Sequence, residues 1–172
     1  MSNQDATAAV KWHAPDKETT MQTPSTSAHQ AHRLIQVGLL LFLCALVVGI
    51  LVPRFGIPRL GLSAHLLGVL QGIFLMLVGL LWPKVRLSRA ASWLTFWFLV
   101  YGCLAAWTAN VLAGIWRAGG ALLPTAAGSA QGSAIQEWVI AIGLRSAAVS
   151  LVAALALLIW GTRRLVVREP IA

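Results

Sequence analysis

Within four apolar stretches of the chain sit a few side chains that could do chemistry: His65 and Gln71 in the second, Tyr101, Trp107, Thr108 and Asn110 in the third, and Gln136, Glu137 and Arg145 in the fourth. An imidazole ligates a metal or moves a proton, an amide orients a polar substrate, and an indole stacks on an aromatic ring. In an apolar setting such groups mark a functional site or a packed polar interface by default. Each also has a plainer use. His65 can bond a carbonyl near a helix end, Gln71 and Asn110 can bond across helices, and Glu137 can complement a helix dipole. Arg145 cannot lose its proton; pairing with Glu137, eight residues earlier on roughly the same helical face, or snorkelling would account for it.

Small residues add a second pattern. Gly61, His65, Gly68, Gly72 and Gly79 share one stripe, and Gly68-Val69-Leu70-Gln71-Gly72 is a GxxxG. Such a stripe lets another helix approach closely; it would equally admit a flat cofactor beside His65. A haem takes a histidine as its usual axial ligand. His65 is the one histidine expected inside a span, because His13, His29 and His32 fall in the N-terminal region. A single axial histidine leaves the opposite iron face open to substrate, and a bis-histidine electron carrier is not built from one such chain. Cys44 and Cys103 lie inside apolar runs and form no disulfide framework or CxxC metal motif.

The elements that must position these residues follow from composition. Of 172 residues 58% are hydrophobic and 10% charged, and the mean hydropathy is +0.77. A soluble domain carries about 25% charged residues, so this chain meets lipid. About 20 apolar residues cross a bilayer as a helix, and four stretches reach that length: Leu34 to Val52, Leu62 to Trp82, Trp93 to Trp116 and Ile135 to Trp160. Backbone polar groups in lipid must pair internally, and the period-2 alternation of a barrel strand is absent. The expected fold is all-α, an integral-membrane four-helix bundle over residues 34–161, with a polar, disordered tail over 1–33 and a basic tail over 162–172.

Charge sets the expected orientation. Lys11, Lys17, Arg33, Lys84, Arg86, Arg89, Arg163, Arg164 and Arg168 share one side, against Arg54, Arg59 and Arg117 on the other. The positive-inside rule puts both termini of this multi-pass protein in the cytoplasm. It also accounts for the net charge of +8 without nucleic acid. Trp82, Trp93 and Trp160 are expected in the inner aromatic belt, and Trp116 and Trp138 in the outer one. By helical rise, His65, Gln71, Asn110 and Glu137 can converge in the outer half, with Tyr101 deeper.

Two stretches carry a resemblance. The run Pro58-Arg59-Leu60-Gly61-Leu62-Ser63-Ala64-His65-Leu66-Leu67-Gly68-Val69-Leu70-Gln71-Gly72-Ile73-Phe74-Leu75, with its SxHxxGxxxG pattern, resembles the second-helix entry of the hydroxylaminobenzene mutases. Tyr101-Gly102, Trp107, Asn110 and the loop from Gly119 to Gly128 resemble the same family, and the similarity spans about residues 34 to 161. It implies rearrangement of an aryl hydroxylamine to an ortho-aminophenol, in nitroaromatic degradation. A more distant similarity is to styrene oxide isomerase, in which a helix-2 histidine holds haem b between subunits of a trimer. That likeness implies His65 as the iron ligand, Gly68 and Gly72 beside the haem, and a homo-oligomer, here a trimer. The isomerase's substrate-binding Asn and Tyr fall on Gln71 and Asn110, changed in type.

Moving a hydroxyl from nitrogen to the ortho carbon involves no net redox change. It needs a Lewis acid that polarises the N–O bond and a dry, aromatic-lined pocket. The resemblance implies ferric haem in the first role, Gln71 and Asn110 orienting the amine and hydroxyl, Trp107 stacking on the ring, and Tyr101 completing the catalytic set. Three other readings stand beside it: an epoxide isomerase acting on styrene oxide, a haem electron carrier, and a non-enzymatic transporter or packing subunit using His65, Glu137 and Arg145.

Overall fold

The computed structural model describes residues 26–163. The sequence-expected tail before residue 26 and the basic tail from residue 164, with Lys11, Lys17, His13, Arg164 and Arg168, lie outside the described residues. Five α-helices and no strand occur among the described residues: α1 Thr26–Leu51, α2 Pro58–Leu81, α3 Arg89–Trp116, the one-turn α4 Pro124–Ala127, and α5 Ala134–Arg163. All but α4 are long and apolar enough to cross a membrane, so the chain is a multi-pass membrane protein. The breaks have local causes. Proline opens α2 and sits in the 3-10 turns Val52–Arg54 and Trp82–Lys84 that follow α1 and α2. Ser88 caps α3, its Oγ accepting from the Ala91 N–H, and Arg117 ends α3 in the left-handed region at φ 56°.

The first helix begins eight residues before the expected boundary at Leu34. Its opening turns, polar in sequence, are held by α2: a Cβ on Gly79 would come within 2.9 Å of the Ala31 carbonyl, and Trp82 Nε1 donates to Gln30 Oε1 at 3.3 Å. Residues 26–33 thus belong to the helix rather than the tail, and His29 and His32 stand exposed on it. Trp82 is correspondingly no belt residue, being only 3% exposed and part of the interior. Trp93 and Trp138 are outward-facing.

The helices pack as an open row in which α1 lies along α2, α2 against α3, and α3 along α5; α1 and α5 do not pack along one another. One buried cluster joins Leu34, Leu41, Leu75, Leu99, Cys103 and Ala154 through the middle. A second, formed by Leu60, Ala113, Ala118, Ala127 and Ile140, closes the end that bears loop 117–133. Leucines and isoleucines cover the outside, as lipid rather than water requires.

Small residues set the α1–α2 seam. A Cβ on Gly38 would lie 2.7 Å from the Gly72 carbonyl, and one on Gly72 would lie 2.8 Å from the Gly38 carbonyl, so the backbones touch. This is the close approach that small residues permit in lipid. At the loop end Phe55 wedges against both Gly61 and Gly114, tying the turn after α1 to α2 and α3.

Candidate functional site

His65 lies on the second turn of α2, five residues past the buried Leu60, with its ring against α1. Its Nδ1 is 2.8 Å from the Ala45 carbonyl. A carbonyl only accepts, so Nδ1 donates, and Nε2 is left with the lone pair. The ring rests where Gly49 has no side chain, since a Cβ there would stand 2.6 Å from Nδ1. A hollow of about 500 Å³ opens at this place, lined by His65, Leu62, Leu46, Gly49, Ile50 and Pro53. Ala45 and Gly49, the two α1 residues that seat the ring, escaped the sequence reading; their signal is a series of small residues on α1 (Ala31, Gly38, Ala45, Gly49) matching the glycine stripe of α2.

An imidazole whose second nitrogen is tied to a backbone carbonyl is the usual arrangement of a metal-ligating histidine. Among the described residues no three of His, Cys, Asp and Glu gather into a cage for a bare ion. A haem iron needs only one such ligand, and a single fixed imidazole bordering a large apolar hollow fits that group.

Gln71 and Trp107 carry the second observation. Gln71, only 8% exposed, has a buried Oε1 without a hydrogen-bond partner, and so has the buried Nε1 of Trp107. Trp107 reaches across from α3 so that its Nε1 would be 2.5 Å from a Cβ on Gly68. One orphaned donor and one orphaned acceptor therefore lie along α2, one and two turns beyond His65. Unpaired buried polar atoms cost about 1–3 kcal/mol each and call for an explanation.

Other expected residues are placed differently. Gly68 and Gly72 are not beside an open face: Trp107 and Ala45 fill the first position and Gly38 and Phe42 the second. The stripe serves helix packing, which corrects the expectation of a cofactor lying there. Asn110 is buried, and its Nδ2 donates back to the Ala106 carbonyl of its own helix at 3.0 Å. Tyr101 does not join His65 at all. It is 49% exposed on the α3–α5 face, its hydroxyl 2.8 Å from Ser146 Oγ.

Glu137 is a loop clamp and pairs with no cation among the described residues. Its carboxylate accepts from the backbone N–H groups of Gly119 at 2.8 Å, Gly132 at 3.1 Å, and Gly120 and Ala121 at 3.3 Å. That turns Glu137 away from the convergence with His65 that depth allowed, and of the two plain accounts of Arg145 it removes pairing with Glu137. Arg145 is exposed, in a groove of about 670 Å³ with Trp93, Trp97, Phe98 and Tyr101.

With this geometry in view, residues 30–163 match the family described as styrene oxide isomerase. The chain is 49% identical over 144 residues to hydroxylaminobenzene mutase HabB of Ectopseudomonas oleovorans, covering 84% of this chain and 88% of that protein. It is 41% identical over 131 residues to hydroxylaminobenzene mutase HabA of the same organism, covering 76% and 97%. No solved structure matches the chain significantly.

Proposed function

Since the chain belongs to the hydroxylaminobenzene mutase family, within the styrene oxide isomerase fold family, we propose that it is a membrane-embedded mutase converting hydroxylaminobenzene, or a related aryl hydroxylamine, to 2-aminophenol. The observation that carries the haem-dependent form of this reading is His65, fixed through Nδ1 to Ala45 with Nε2 left to ligate. His65 would hold haem b, and the bound ferric iron would supply a Lewis acid that polarises the N–O bond. The orphaned atoms suit the same substrate: Trp107 Nε1–H donates to the hydroxylamine oxygen, and Gln71 Oε1 accepts from its N–H.

The reaction is an isomerisation, so atoms and electrons balance within the substrate. The N–O bond breaks, a C–O bond forms at the ortho carbon, the proton on that carbon leaves, and nitrogen gains one. Water is the competing nucleophile at the electron-poor ring. Exclusion of water by the leucines and isoleucines around the seam keeps the substrate's own oxygen in play. An apolar hydroxylamine also partitions into lipid, which delivers it to this surface.

The open row of helices supports a ring of copies, a trimer by family likeness, with the α1–α2 end of one against the α3–α5 end of the next. Both termini would face the cytoplasm across the inner membrane. The family match also favours an epoxide substrate, so the deciding assay offers hydroxylaminobenzene and styrene oxide side by side to the detergent-purified protein. Formation of 2-aminophenol with little phenylacetaldehyde is expected; the reverse preference overturns the substrate assignment.

A further inference from the structure

Cations gather at the end of the helices opposite the Glu137 clamp. Gly161 packs the last turn of α5 onto the segment that follows α2, since a Cβ there would lie 2.8 Å from Val85 and 2.9 Å from Leu87. Arg163 is thereby carried to the end at which Lys84, Arg86 and Arg89 stand exposed. Glu137, the only acidic residue among the described residues, is bound into loop 117–133 at the far end. No carboxylate among the described residues therefore offsets the charge at the Arg89 end.

From this end an apolar channel runs along the outside of the row. A hollow of about 630 Å³, lined by Arg89, Ala90, Trp93 and Leu94, shares Trp93 and Leu94 with the groove of about 670 Å³ between α3 and α5. The Tyr101–Ser146 and Ser150–Phe98 bonds hold the two helices antiparallel along it, and Trp93 and Trp97 meet edge to face at 6.2 Å in its lining. Arg145 borders the other end beside Tyr101, where its methylene stem is itself lining for an apolar chain. Length decides what fits. Arg89 and Tyr101 are twelve residues apart on one helix, which is about 18 Å at 1.5 Å per residue. Half of a hydrocarbon core is about 15 Å. The channel is one leaflet deep, with its cations at the level of the headgroups and its aromatic floor at the level of the acyl chains.

We infer that this channel is a binding site for an anionic phospholipid of the leaflet at the Arg89 end, its phosphate held by Arg89 with Arg86 and Arg163 beside it and an acyl chain lying over Trp93, Trp97 and Phe98. A soluble anion would use the cations and leave the groove empty. A zwitterionic lipid would fill the groove but bring its own cation to a cationic rim. An anion joined to an acyl chain satisfies both parts. The inference stands on the membrane-spanning fold and needs neither the haem nor the mutase reaction. In a ring of copies the lipid would lie in the groove at the contact between neighbours.

The test reconstitutes the full chain in phosphatidylcholine vesicles and adds phosphatidylglycerol or phosphatidylcholine with brominated acyl chains, which quench tryptophan fluorescence on contact. Wild type is expected to show saturable quenching by brominated phosphatidylglycerol at a mole fraction about twentyfold lower than by brominated phosphatidylcholine. Each basic residue at an anionic headgroup contributes about fivefold. Arg89→Gln should therefore reduce the preference to about fivefold, and Arg86→Gln together with Arg89→Gln should nearly abolish it. Quenching by brominated phosphatidylcholine should stay at its wild-type level in both, as a misfolded chain would not allow. Trp93→Phe with Trp97→Phe should remove most of the saturable component, because these two indoles line the groove. Equal quenching of wild type by the two lipids would overturn the inference. A preference kept by the Arg86→Gln, Arg89→Gln chain but lost in Arg145→Gln would put the anion at the other end of the groove and overturn it as well. Displacement of the brominated phosphatidylglycerol by glycerol phosphate at comparable concentration would assign the cations to a free phosphate. Protection of Trp93 and Trp97 from both lipids until the copies are separated would give the groove to a second copy. Either of these last results also overturns the lipid site.

Discussion

The two halves of the helix row solve different problems with different residues. In the α1–α2 half, glycine faces glycine, backbones touch at Gly38 and Gly72, and the one ionisable side chain in the seam is seated by the space at Gly49 and the carbonyl of Ala45. In the α3–α5 half, Gly102 receives Leu151, hydroxyls bridge the helices at Tyr101–Ser146 and Ser150–Phe98, and a broad aromatic groove stays open around Arg145. Close backbone approach seats one ring against the Ala45 carbonyl and the bare backbone of Gly49. Side-chain spacing leaves a surface that can receive something larger. The difference teaches that the glycine stripe is the tool for seating one side chain against a neighbouring backbone, while hydroxyl bridges and larger side chains leave an aromatic groove.

Four substitutions probe this contrast, beginning with the one of greatest effect. His65→Ala removes the only nitrogen that the α1–α2 half is built to present; turnover of hydroxylaminobenzene by the purified variant should fall at least about 100-fold, beyond the 10–100-fold typical of losing a supporting partner. Gly49→Ala keeps the imidazole but puts a methyl 2.6 Å from Nδ1. The ring must shift, the bond to Ala45 is lost, and haemin affinity should drop about 10–100-fold. A Gly49→Ala protein with unchanged affinity would break the claim that this seam positions the ring.

Effects away from the seam should register as stability instead. Glu137→Ala strands the N–H groups of Gly119, Gly120, Ala121 and Gly132 at the loop end, and thermal unfolding in detergent should show a loss of about 1–3 kcal/mol. The haemin spectrum of the folded fraction should not change. Smallest of all, Tyr101→Phe breaks one exposed bond to Ser146 and should lower stability by about 1 kcal/mol or less. A large loss of turnover in Tyr101→Phe would instead place the α3–α5 face in the reaction.

The spans were legible because apolar runs of sufficient length have one solution in lipid. His65 was legible because a lone imidazole in such a run stands out, and Gln71 and Trp107 because their types do not suit it. What could not be read follows from backbone and distance. Ala45 seats His65 through a carbonyl, which leaves no side-chain signature. The early start of α1 depends on Gly79 and Trp82, about fifty residues along the chain from the Ala31 and Gln30 they meet. Glycine spacing alone cannot tell a cradle for a cofactor from a seat for a helix, and at Gly68 and Gly72 the helix and Trp107 took the place. Glu137 and Arg145 share a helical face by arithmetic, yet the loop's four N–H groups hold the carboxylate at the helix end and leave the guanidinium to the groove.

The α1–α2 seam converges on one imidazole, so the most direct test is the absorption spectrum of the detergent-purified chain titrated with haemin, wild type against His65→Ala. A Soret band shifted from that of free haemin in wild type, and absent or returned to the free position in His65→Ala, is the predicted result. Identical spectra for the two proteins would contradict the central claim that His65 presents Nε2 to a haem iron.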